Sequence, residues 1–444
     1  MANITIDFNK VSGKIKNMHS VNNGPLAKKN DQTRSNFDDY KAAKIPYARI
    51  HDASFCSGYG GPHIVDVNWI FPDFSKDEND PASYDFTLTD WYLQLIMSAG
   101  AKVFYRLGAA IEHAIKKYNT IMPADFEKWA RICEHIIMHY NEGWADGYKL
   151  NIEYWEIWNE PDLDEDDSTN KRTWSGTAKD YHRLYKIAAT HLKNRFPDLK
   201  IGGPALAFRD GEWLDEFLEA ITKDGKKTPM DFFSWHIYTN DVKDVVEKGA
   251  RIREKLDRAG YEKIESILNE WNYVEGWSEA FISSIEAIIS ERGAAFTAAT
   301  MCAMQKSSTD MLMYYDARPC VFNGLFDFYT QRPLKGYYPF VMFADLYEKQ
   351  NELETTSDDS EIYIAAAKDE KEFAAMVCYY SPDKTGAKEK TVAISANGAG
   401  DGAFECYLVD KENTMEKKDD IIISGGKAEI KLKPNSVMFI KKQI

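Results

Sequence analysis

The sequence lacks the features that mark several large classes of protein. It contains no run of about 18 apolar residues, so no membrane-spanning helix is expected. No basic cluster stands out, and 70 acidic against 55 basic side chains give a formal net charge of −15. Such a chain repels phosphate backbones, and nucleic acid is therefore not an expected partner. The hydrophobic share of 44% argues against disorder of the whole chain.

Cysteine is scarce and follows no metal-binding pattern. The six cysteines include no Cys-x-x-Cys pair and indicate free thiols in a reducing compartment. The N-terminus has no basic segment followed by an apolar stretch, so we expect no signal peptide and a cytoplasmic protein. His135 and His139 lie one helical turn apart but lack a third ligand at a suitable spacing. We expect neither a metal nor another cofactor.

Short β-type runs alternate with helix-period stretches over the first three quarters of the chain. The β-type runs cover residues 14–20, 46–52, 102–108, 154–160, 199–205, 231–238, 266–271 and 311–317. Helix-period stretches cover residues 88–99, 125–140, 178–194, 242–259 and 278–292. Alternating β and α units imply parallel strands with right-handed crossovers. Eight such units predict an α/β fold, a closed (β/α)8 TIM barrel.

The pattern changes after about residue 352. Six short β-type runs follow, separated by turn clusters rich in glycine, serine and aspartate, which predicts a C-terminal β-sandwich accessory domain. Residues 3–9 alternate like a strand, and we expect them to join this sandwich. The predicted domains are therefore a catalytic barrel over 12–348 and a β-sandwich from 1–11 plus 349–444.

Two of the predicted barrel strands end in a glutamate. The fourth run ends at Asn159-Glu160-Pro161 and the seventh reaches Glu270. Since Pro161 restricts the preceding residue, we expect Glu160 to be extended. Active-site groups of barrels lie at the carboxyl ends of strands, so the two carboxylates should face each other across the mouth. Glycoside hydrolysis needs such a pair: one acid protonates the leaving oxygen, and the other carboxylate attacks the sugar or activates water.

Further candidate substrate-binding residues lie at other strand ends. Alternation places Arg49 and His51 on one face of the second run, and His236 and Tyr238 on one face of the sixth. An arginine or a tyrosine hydroxyl beside a carboxylate favours its charged form. The common alternative for each is a buried polar residue whose hydrogen bonds are satisfied within the protein.

Aromatic residues make up 13% of the chain and supply the remaining candidates. Trp271 and Trp277 follow Glu270 and are candidates for stacking on a sugar ring, although aromatic side chains more often pack in cores. Tyr315 and Asp316, at the end of the eighth run, are also candidate substrate-binding residues. The insertion at residues 56–74 follows the second run and is predicted to wall the pocket.

These motifs resemble those of retaining glycoside hydrolases of clan A, and most closely family 39, the β-xylosidase and α-L-iduronidase family. The resemblance runs through residues 49–51, 84–91, 104–108, 156–163, 181–185, 201–204, 235–238 and 269–271. Asn159-Glu160-Pro161 is shared across the clan, whereas Gly202-Gly203-Pro204 points to family 39.

The resemblance implies roles for seven of the candidates. Glu160 would be the general acid/base and Glu270 the nucleophile of a double displacement. The neighbouring side chains would hold Glu270 (Arg49, Tyr238), line the −1 subsite (His51, His236) and hydrogen-bond the sugar 2-hydroxyl (Asn159).

Strands three and eight depart from the family pattern. Strand three ends in Tyr105-Arg106-Leu107-Gly108, and strand eight lacks the tryptophan of its relatives.

We expect a retaining exo-glycosidase, most similar to a β-xylosidase, whose partner is an oligosaccharide or glycoside. Homo-oligomer formation is left open. An α-L-arabinosidase or α-L-iduronidase activity is the alternative, with Arg106 as a cation for a uronic acid. A non-catalytic carbohydrate-binding barrel is the rival class, and the two glutamates argue against it.

Overall fold

A closed barrel of eight parallel strands forms the centre of the computed structural model, which describes residues 1–28, 30, 32–51, 63–225 and 227–444. Strand β1 (Ala2–Lys14) precedes the barrel and belongs to a second sheet. The barrel strands follow in chain order: β2 (Asn17–Asn22), β3 (Tyr47–Ile50), β4 (Lys102–Leu107), β5 (Tyr154–Ile157), β6 (Lys200–Leu206), β7 (Phe232–Thr239), β8 (Glu265–Tyr273) and β9 (Met311–Tyr314). The predicted TIM barrel is confirmed.

Helices surround the barrel and pack their apolar faces against it. They are α1 (Phe37–Ala42), α2 (Val67–Ile70), α3 (Thr87–Ser98), α4 (Phe126–Asn141), α5 (Ala178–Arg195), α6 (Glu212–Thr222), α7 (Val242–Arg258), α8 (Phe281–Ile288), α9 (Glu291–Gln305) and α10 (Tyr338–Lys349). The predicted helix over 278–292 is in fact two, because Ser290 caps a new helix by accepting from the backbone N–H of Arg292. Within the described ranges, no helix is both long and apolar enough to cross a membrane.

The interior of the barrel is divided between a closed base and a polar upper part. Inward-facing apolar side chains fill the base: Phe104, Tyr154, Phe232, Ile267, Met311 and Met313. This packed layer makes the barrel a core and not a pore. The polar residues of the candidate site lie above it, at the carboxyl ends of the strands.

The second sheet combines both ends of the chain. Strand β1 pairs antiparallel with β10 (Asn351–Ser357) and parallel with β13 (Lys390–Asn397). The other strands are β11 (Ile362–Lys368), β12 (Glu372–Tyr379), β14 (Gly402–Val409), β15 (Thr414–Ile423), β16 (Lys427–Leu432) and β17 (Ser436–Gln443), in the order β15-β14-β17-β12-β11-β10-β1-β13-β16. The rings of Phe8 on β1 and Phe404 on β14 are 6.4 Å apart although four strands separate them, so the sheet curves around its own core as in a β-sandwich.

Side chains from the barrel donate hydrogen bonds to the backbone of this β domain. Arg292 on α9 donates to the carbonyl oxygen of Ser381 at 3.0 Å. Lys335 donates to the carbonyl oxygens of Asp410 and Asn413 at 2.6 and 2.8 Å. Strand β1 runs three residues beyond the predicted domain boundary at residue 11. The proposed limits of 12–348 and 1–11 plus 349–444 remain a prediction.

The position of β1 leads to a stability prediction. Ile6 is fully buried in the core of the β domain, so Ile6→Ala should lower the free energy of unfolding by about 2–5 kcal/mol through the lost contacts and the cavity. Its neighbour Thr5 is only half-buried, and Thr5→Ala is the matched control with an expected change below about 1 kcal/mol. Urea unfolding followed by fluorescence measures both, and equal effects would contradict the structural role of β1.

Candidate active site

Two buried glutamates and a histidine lie together at the mouth of the barrel. Glu160 follows β5 and Glu270 lies within β8, and both are less than 10% exposed. One carboxylate oxygen of each glutamate and one ring nitrogen of His236 all lie within 4.8 Å of one another. The Nδ1 atom of His236 is 2.8 Å from Oε1 of Glu160 and 3.7 Å from Oε2 of Glu270. The structure therefore brings the predicted glutamates together in one buried chamber.

The backbone at Glu160 is left-handed, with φ at +48°, so the prediction of an extended residue before Pro161 is wrong. Hydrogen bonds on both sides hold this uncommon conformation. The Glu160 N–H donates to the carbonyl oxygen of Ala205 at 3.0 Å, and its carbonyl oxygen accepts from the hydroxyl of Thr173. Non-glycine residues in this region of backbone space are strained and cluster at functional sites. The strain here aims the Glu160 side chain into the chamber.

Arg49 is fully buried and has four partners. Its Nε donates to Glu156 at 2.7 Å, and its Nη2 donates to the amide oxygen of Asn159 at 2.6 Å. Its Nη1 donates to Asn22 at 3.0 Å and to Glu270 at 3.3 Å. The predicted contact between Arg49 and Glu270 is present, but the shorter ion pair is with Glu156. Glu156 was not predicted from the sequence. The pattern that could have indicated it is a single charged residue that faces the barrel interior on the otherwise apolar strand β5.

The pKa values of the two carboxyl groups are shifted by different neighbours. Burial raises the pKa of Glu160 to about 8, and the nearby carboxylate of Asp162 adds to this increase. Burial also raises the pKa of Glu270, but Arg49 and the hydroxyl of Tyr238 act in the opposite direction. The Tyr238 hydroxyl donates to Oε1 of Glu270 at 2.6 Å. Glu160 is thus the group held protonated near neutral pH, while the partners of Glu270 favour its charged form.

His236 is neutral in this environment. Burial lowers the pKa of its imidazole to about 4, below the usual range for histidine. Its contact with Glu160 at neutral pH is therefore a hydrogen bond between two uncharged groups, and not an ion pair. Its Nε2 atom is buried and has no hydrogen-bond partner among the described residues.

Aromatic side chains flank the carboxylates on the side of β9. The ring of Tyr315 lies 6.3 Å from that of His51 and 6.4 Å from that of Tyr238. Trp277 is 62% exposed, and its ring lies 5.1 Å from Tyr238. The structure thus brings His51, Tyr315 and Trp277 to the site, with Trp277 at its rim.

Trp271 and Asp316 do not reach the site in the way predicted. Trp271 is buried between barrel and helices, with its ring 6.2 Å from Phe296 on α9 and 5.2 Å from Tyr314. Strand β8 continues past the predicted end, and its alternation turns Trp271 outward. Asp316 is fully buried and accepts from Nε of Arg318 at 2.8 Å. Both side chains are therefore packed against other parts of the protein, and their predicted contact with a sugar remains a prediction.

Arg106 is paired with an acidic residue of the protein. It is fully buried, and its Nη2 donates to Asp66 at 2.6 Å and to the carbonyl oxygen of His51 at 2.8 Å. Its Nε and Nη1 are buried and have no hydrogen-bond partner among the described residues. The ion pair with Asp66 argues against Arg106 as a receptor for a uronic acid, and that role remains a prediction. Part of the insertion predicted to wall the pocket, residues 56–62, lies outside the described residues.

Asn159 has a buried donor available for a ligand. Its amide oxygen accepts from Arg49, which fixes the orientation of the side chain. Its Nδ2 atom is buried and has no hydrogen-bond partner in the part of the chain that the structure describes. An unpaired buried donor is unfavourable, and a hydroxyl group of a bound ligand would satisfy it.

Asp162 is a second residue that sequence reasoning did not single out. It is fully buried and accepts the backbone N–H groups of Ala207, Phe208 and Arg209 at 2.8, 3.0 and 2.9 Å. The carboxylate thereby fastens the loop after β6 to the loop that carries Glu160. The sequence signal was its position two residues after Glu160.

The middle of the chain is similar to a known family of glycosidases. The sequence profile of glycosyl hydrolases family 39 matches residues 61–270, a segment that includes Glu160 and ends at Glu270. A β-xylosidase from Caldicellulosiruptor saccharolyticus is 29% identical over 196 residues, which are 41% of this chain and 38% of that protein. Over residues 61–270 the chain is therefore similar to glycosyl hydrolases family 39. Its match covers about two fifths of the length of that curated relative.

Solved structures share the whole fold with this chain. The crystal structure of a glucosidase from Croceicoccus marinus superposes with a TM-score of 0.79 at 22% identity, covering 99% of this chain and 98% of the other. A monomeric β-xylosidase from Caulobacter crescentus CB15 superposes with a TM-score of 0.71 at 16% identity, covering 99% of both chains. At these identities the likeness concerns the fold.

The raised pKa of Glu160 predicts that the stability of the protein depends on pH. This can be measured without an activity assay. Between pH 4.5 and about 8 the unfolded chain releases the proton that the folded chain keeps, so the wild type loses stability as pH rises. Glu160→Gln removes this loss, so its Tm relative to the wild type should rise between pH 4.5 and pH 8. The exposed Glu219 on α6 gives the control Glu219→Gln, which should show no such trend. A Tm difference for Glu160→Gln that is the same at both pH values would contradict the raised pKa.

Proposed function

We propose that this protein is a retaining O-glycosyl hydrolase that works by double displacement and resembles a β-xylosidase acting from the ends of short oligosaccharides. The observation that carries the proposal is the buried pair of Glu160 and Glu270, with one oxygen of each within 4.8 Å. Retaining glycosidases keep their carboxyl groups about 5–5.5 Å apart, whereas inverting ones need about 6.5–9.5 Å to admit a water molecule. The short separation supports the retaining mechanism.

In the first step, Glu160 acts as the acid and Glu270 as the nucleophile. The Glu160 carboxyl proton moves to the glycosidic oxygen while a carboxylate oxygen of Glu270 attacks the anomeric carbon. The bond to the leaving group breaks, and an ester joins the sugar to Glu270. Arg49 and Tyr238 support this assignment because both contact the Glu270 carboxylate and favour its charged form.

In the second step, the roles of proton donor and acceptor reverse. Glu160 is now a carboxylate, and it takes a proton from the water that attacks the anomeric carbon. Its pKa falls because Glu270 has lost its negative charge in the ester. The ester bond breaks, the sugar leaves with its configuration retained, and both glutamates return to their starting states.

The β-xylosidase-like specificity rests on the relatives and on the polar groups around the pair. Curated relatives with this name come from Caldicellulosiruptor saccharolyticus and Geobacillus stearothermophilus. The buried Nδ2 of Asn159 and Nε2 of His236 suit the hydroxyl groups of a neutral sugar. The pairing of Arg106 with Asp66 argues against a uronic acid. A non-catalytic barrel would not need a carboxyl group held protonated beside an ionised one.

A panel of aryl glycosides tests the proposed activity. Aryl β-xyloside should be hydrolysed faster than the arabinoside, galactoside, glucoside and uronides, because the site offers neutral hydrogen-bonding groups. NMR of the first product should show the anomer with retained configuration. An inverted product would contradict the double displacement, and sugar binding without hydrolysis of any glycoside would favour a binding barrel.

The nucleophile has its own test. Glu270→Ala should lower kcat by several orders of magnitude because no ester can form, and azide should restore part of the activity. The rescued product should be a glycosyl azide of inverted configuration, since azide attacks once from the side that Glu270 occupied. Glu265→Ala, at the other end of the same strand, is the matched control and should keep wild-type turnover. Near wild-type turnover of Glu270→Ala would contradict the assignment.

A further inference from the structure

The loop after β6 carries an exposed aromatic ring and is hydrogen-bonded to the loop of the acid glutamate. Phe208 is 57% exposed, and its backbone N–H donates to Asp162, two residues after Glu160. The preceding segment contacts Glu160 itself, because the carbonyl oxygen of Ala205 accepts the Glu160 N–H. Phe208 therefore lies on a segment that is fastened at two points to the loop carrying the acid.

The loop is held on its other side as well. The buried amino group of Lys248 on α7 donates to the carbonyl oxygen of Ala207 at 3.1 Å and to that of His236 at 2.8 Å. Together with the three N–H groups held by Asp162, these bonds fix the backbone around Phe208 from two sides. Exposed loops are usually held by few buried contacts, so this degree of anchoring is unusual for a segment that presents an apolar ring to solvent.

Arg209 constrains the ring further. Its guanidinium lies 5.5 Å from the centre of the Phe208 ring. The same guanidinium forms an ion pair with Glu165, which lies in the loop after β5. The exposed area of the ring remains available to a ligand. A rigid aromatic ring with open area is suited to stacking against the flat face of another ring, because little conformational entropy is lost on binding.

The position of this ring determines which part of a substrate it would meet. Glu160 must lie beside the glycosidic oxygen to protonate it, so side chains fastened to its loop lie on the side of the leaving group. Trp277 instead contacts Tyr238, the partner of the nucleophile. We infer that Phe208 is the stacking platform for the leaving-group sugar ring, which makes it a specificity-determining residue for substrates with a pyranose leaving group. This inference rests on the proposed function.

Two substrates with the same sugar and different leaving groups test the inference. Phe208→Ala should lower kcat/KM for xylobiose about tenfold, the typical loss of an aromatic ring contact. It should leave kcat/KM for β-xylosyl fluoride unchanged, because fluoride fills no leaving-group subsite. Phe208→Trp keeps a ring and should retain most of the activity on xylobiose. Trp91→Ala is the control for loss of an exposed aromatic, since Trp91 lies on α3 in the outer layer and is 43% exposed.

Transfer of the sugar from the enzyme to an acceptor sugar, the reverse of cleavage, gives a second measurement. A trapped 2-fluoro glycosyl-enzyme is released by water or, faster, by an acceptor sugar. The acceptor hydroxyl bonds to the anomeric carbon, the ester to Glu270 breaks, and Glu160 takes the hydroxyl proton. Phe208→Ala should lose the acceleration by xylobiose as acceptor while release in water stays at the wild-type rate.

The outcomes separate this inference from the proposed function. Equal losses on xylobiose and xylosyl fluoride would indicate a structural effect and overturn the inference, as would no loss on either. In both cases the wild type still hydrolyses the substrates, and the proposed function stands. A wild type that turns over neither substrate would overturn both proposals together.

Discussion

The buried guanidinium of Arg49 is the constraint on which the rest of the site depends. A buried cation is strongly unfavourable unless ion pairs and hydrogen bonds satisfy it, and Arg49 obtains them from strands on opposite sides of the barrel. Glu156 takes the shortest ion pair and supplies most of the compensating charge. Glu270 is left with a longer contact of 3.3 Å. This contact favours the charged form of Glu270 and pairs its oxygen less tightly than that of Glu156, which suits its proposed role as the nucleophile.

The same network ties the geometry of the barrel to the chemistry of the site. Asn22 lies on β2, Arg49 on β3, Glu156 on β5 and Asn269 on β8, where the Asn269 side-chain amide donates to Glu156. A shift of any of these strands would leave a buried charge or amide unpaired, which costs more than the loss of an ordinary contact. The barrel is closed below by a packed apolar layer, so the polar network can be concentrated at the mouth.

The parts of this arrangement that sequence could predict are those set by periodicity. Alternating β and α units predicted the barrel, and residues at strand ends led to Glu160, Glu270 and Tyr238. One error arose where the periodicity was not applied. Trp271 was assigned to the pocket because it follows Glu270, but alternation along β8 turns it outward when Glu270 faces inward. Glu156 was missed because its importance depends on a partner more than a hundred residues away, and no local pattern reports such a pairing.

Burial alone does not decide which glutamate is the acid, because both are almost fully buried and burial raises both pKa values. The neighbours decide it. Glu160 lies between a neutral His236 and the carboxylate of Asp162, so its charged form gains little. Glu270 lies between the guanidinium of Arg49 and a tyrosine hydroxyl, both of which favour charge. The asymmetry also reverses during the reaction, because an ester at Glu270 removes a negative charge within 4.8 Å of Glu160. In the proposed double displacement, Glu160 can therefore act first as the acid and then as the base, while Glu270 carries the sugar.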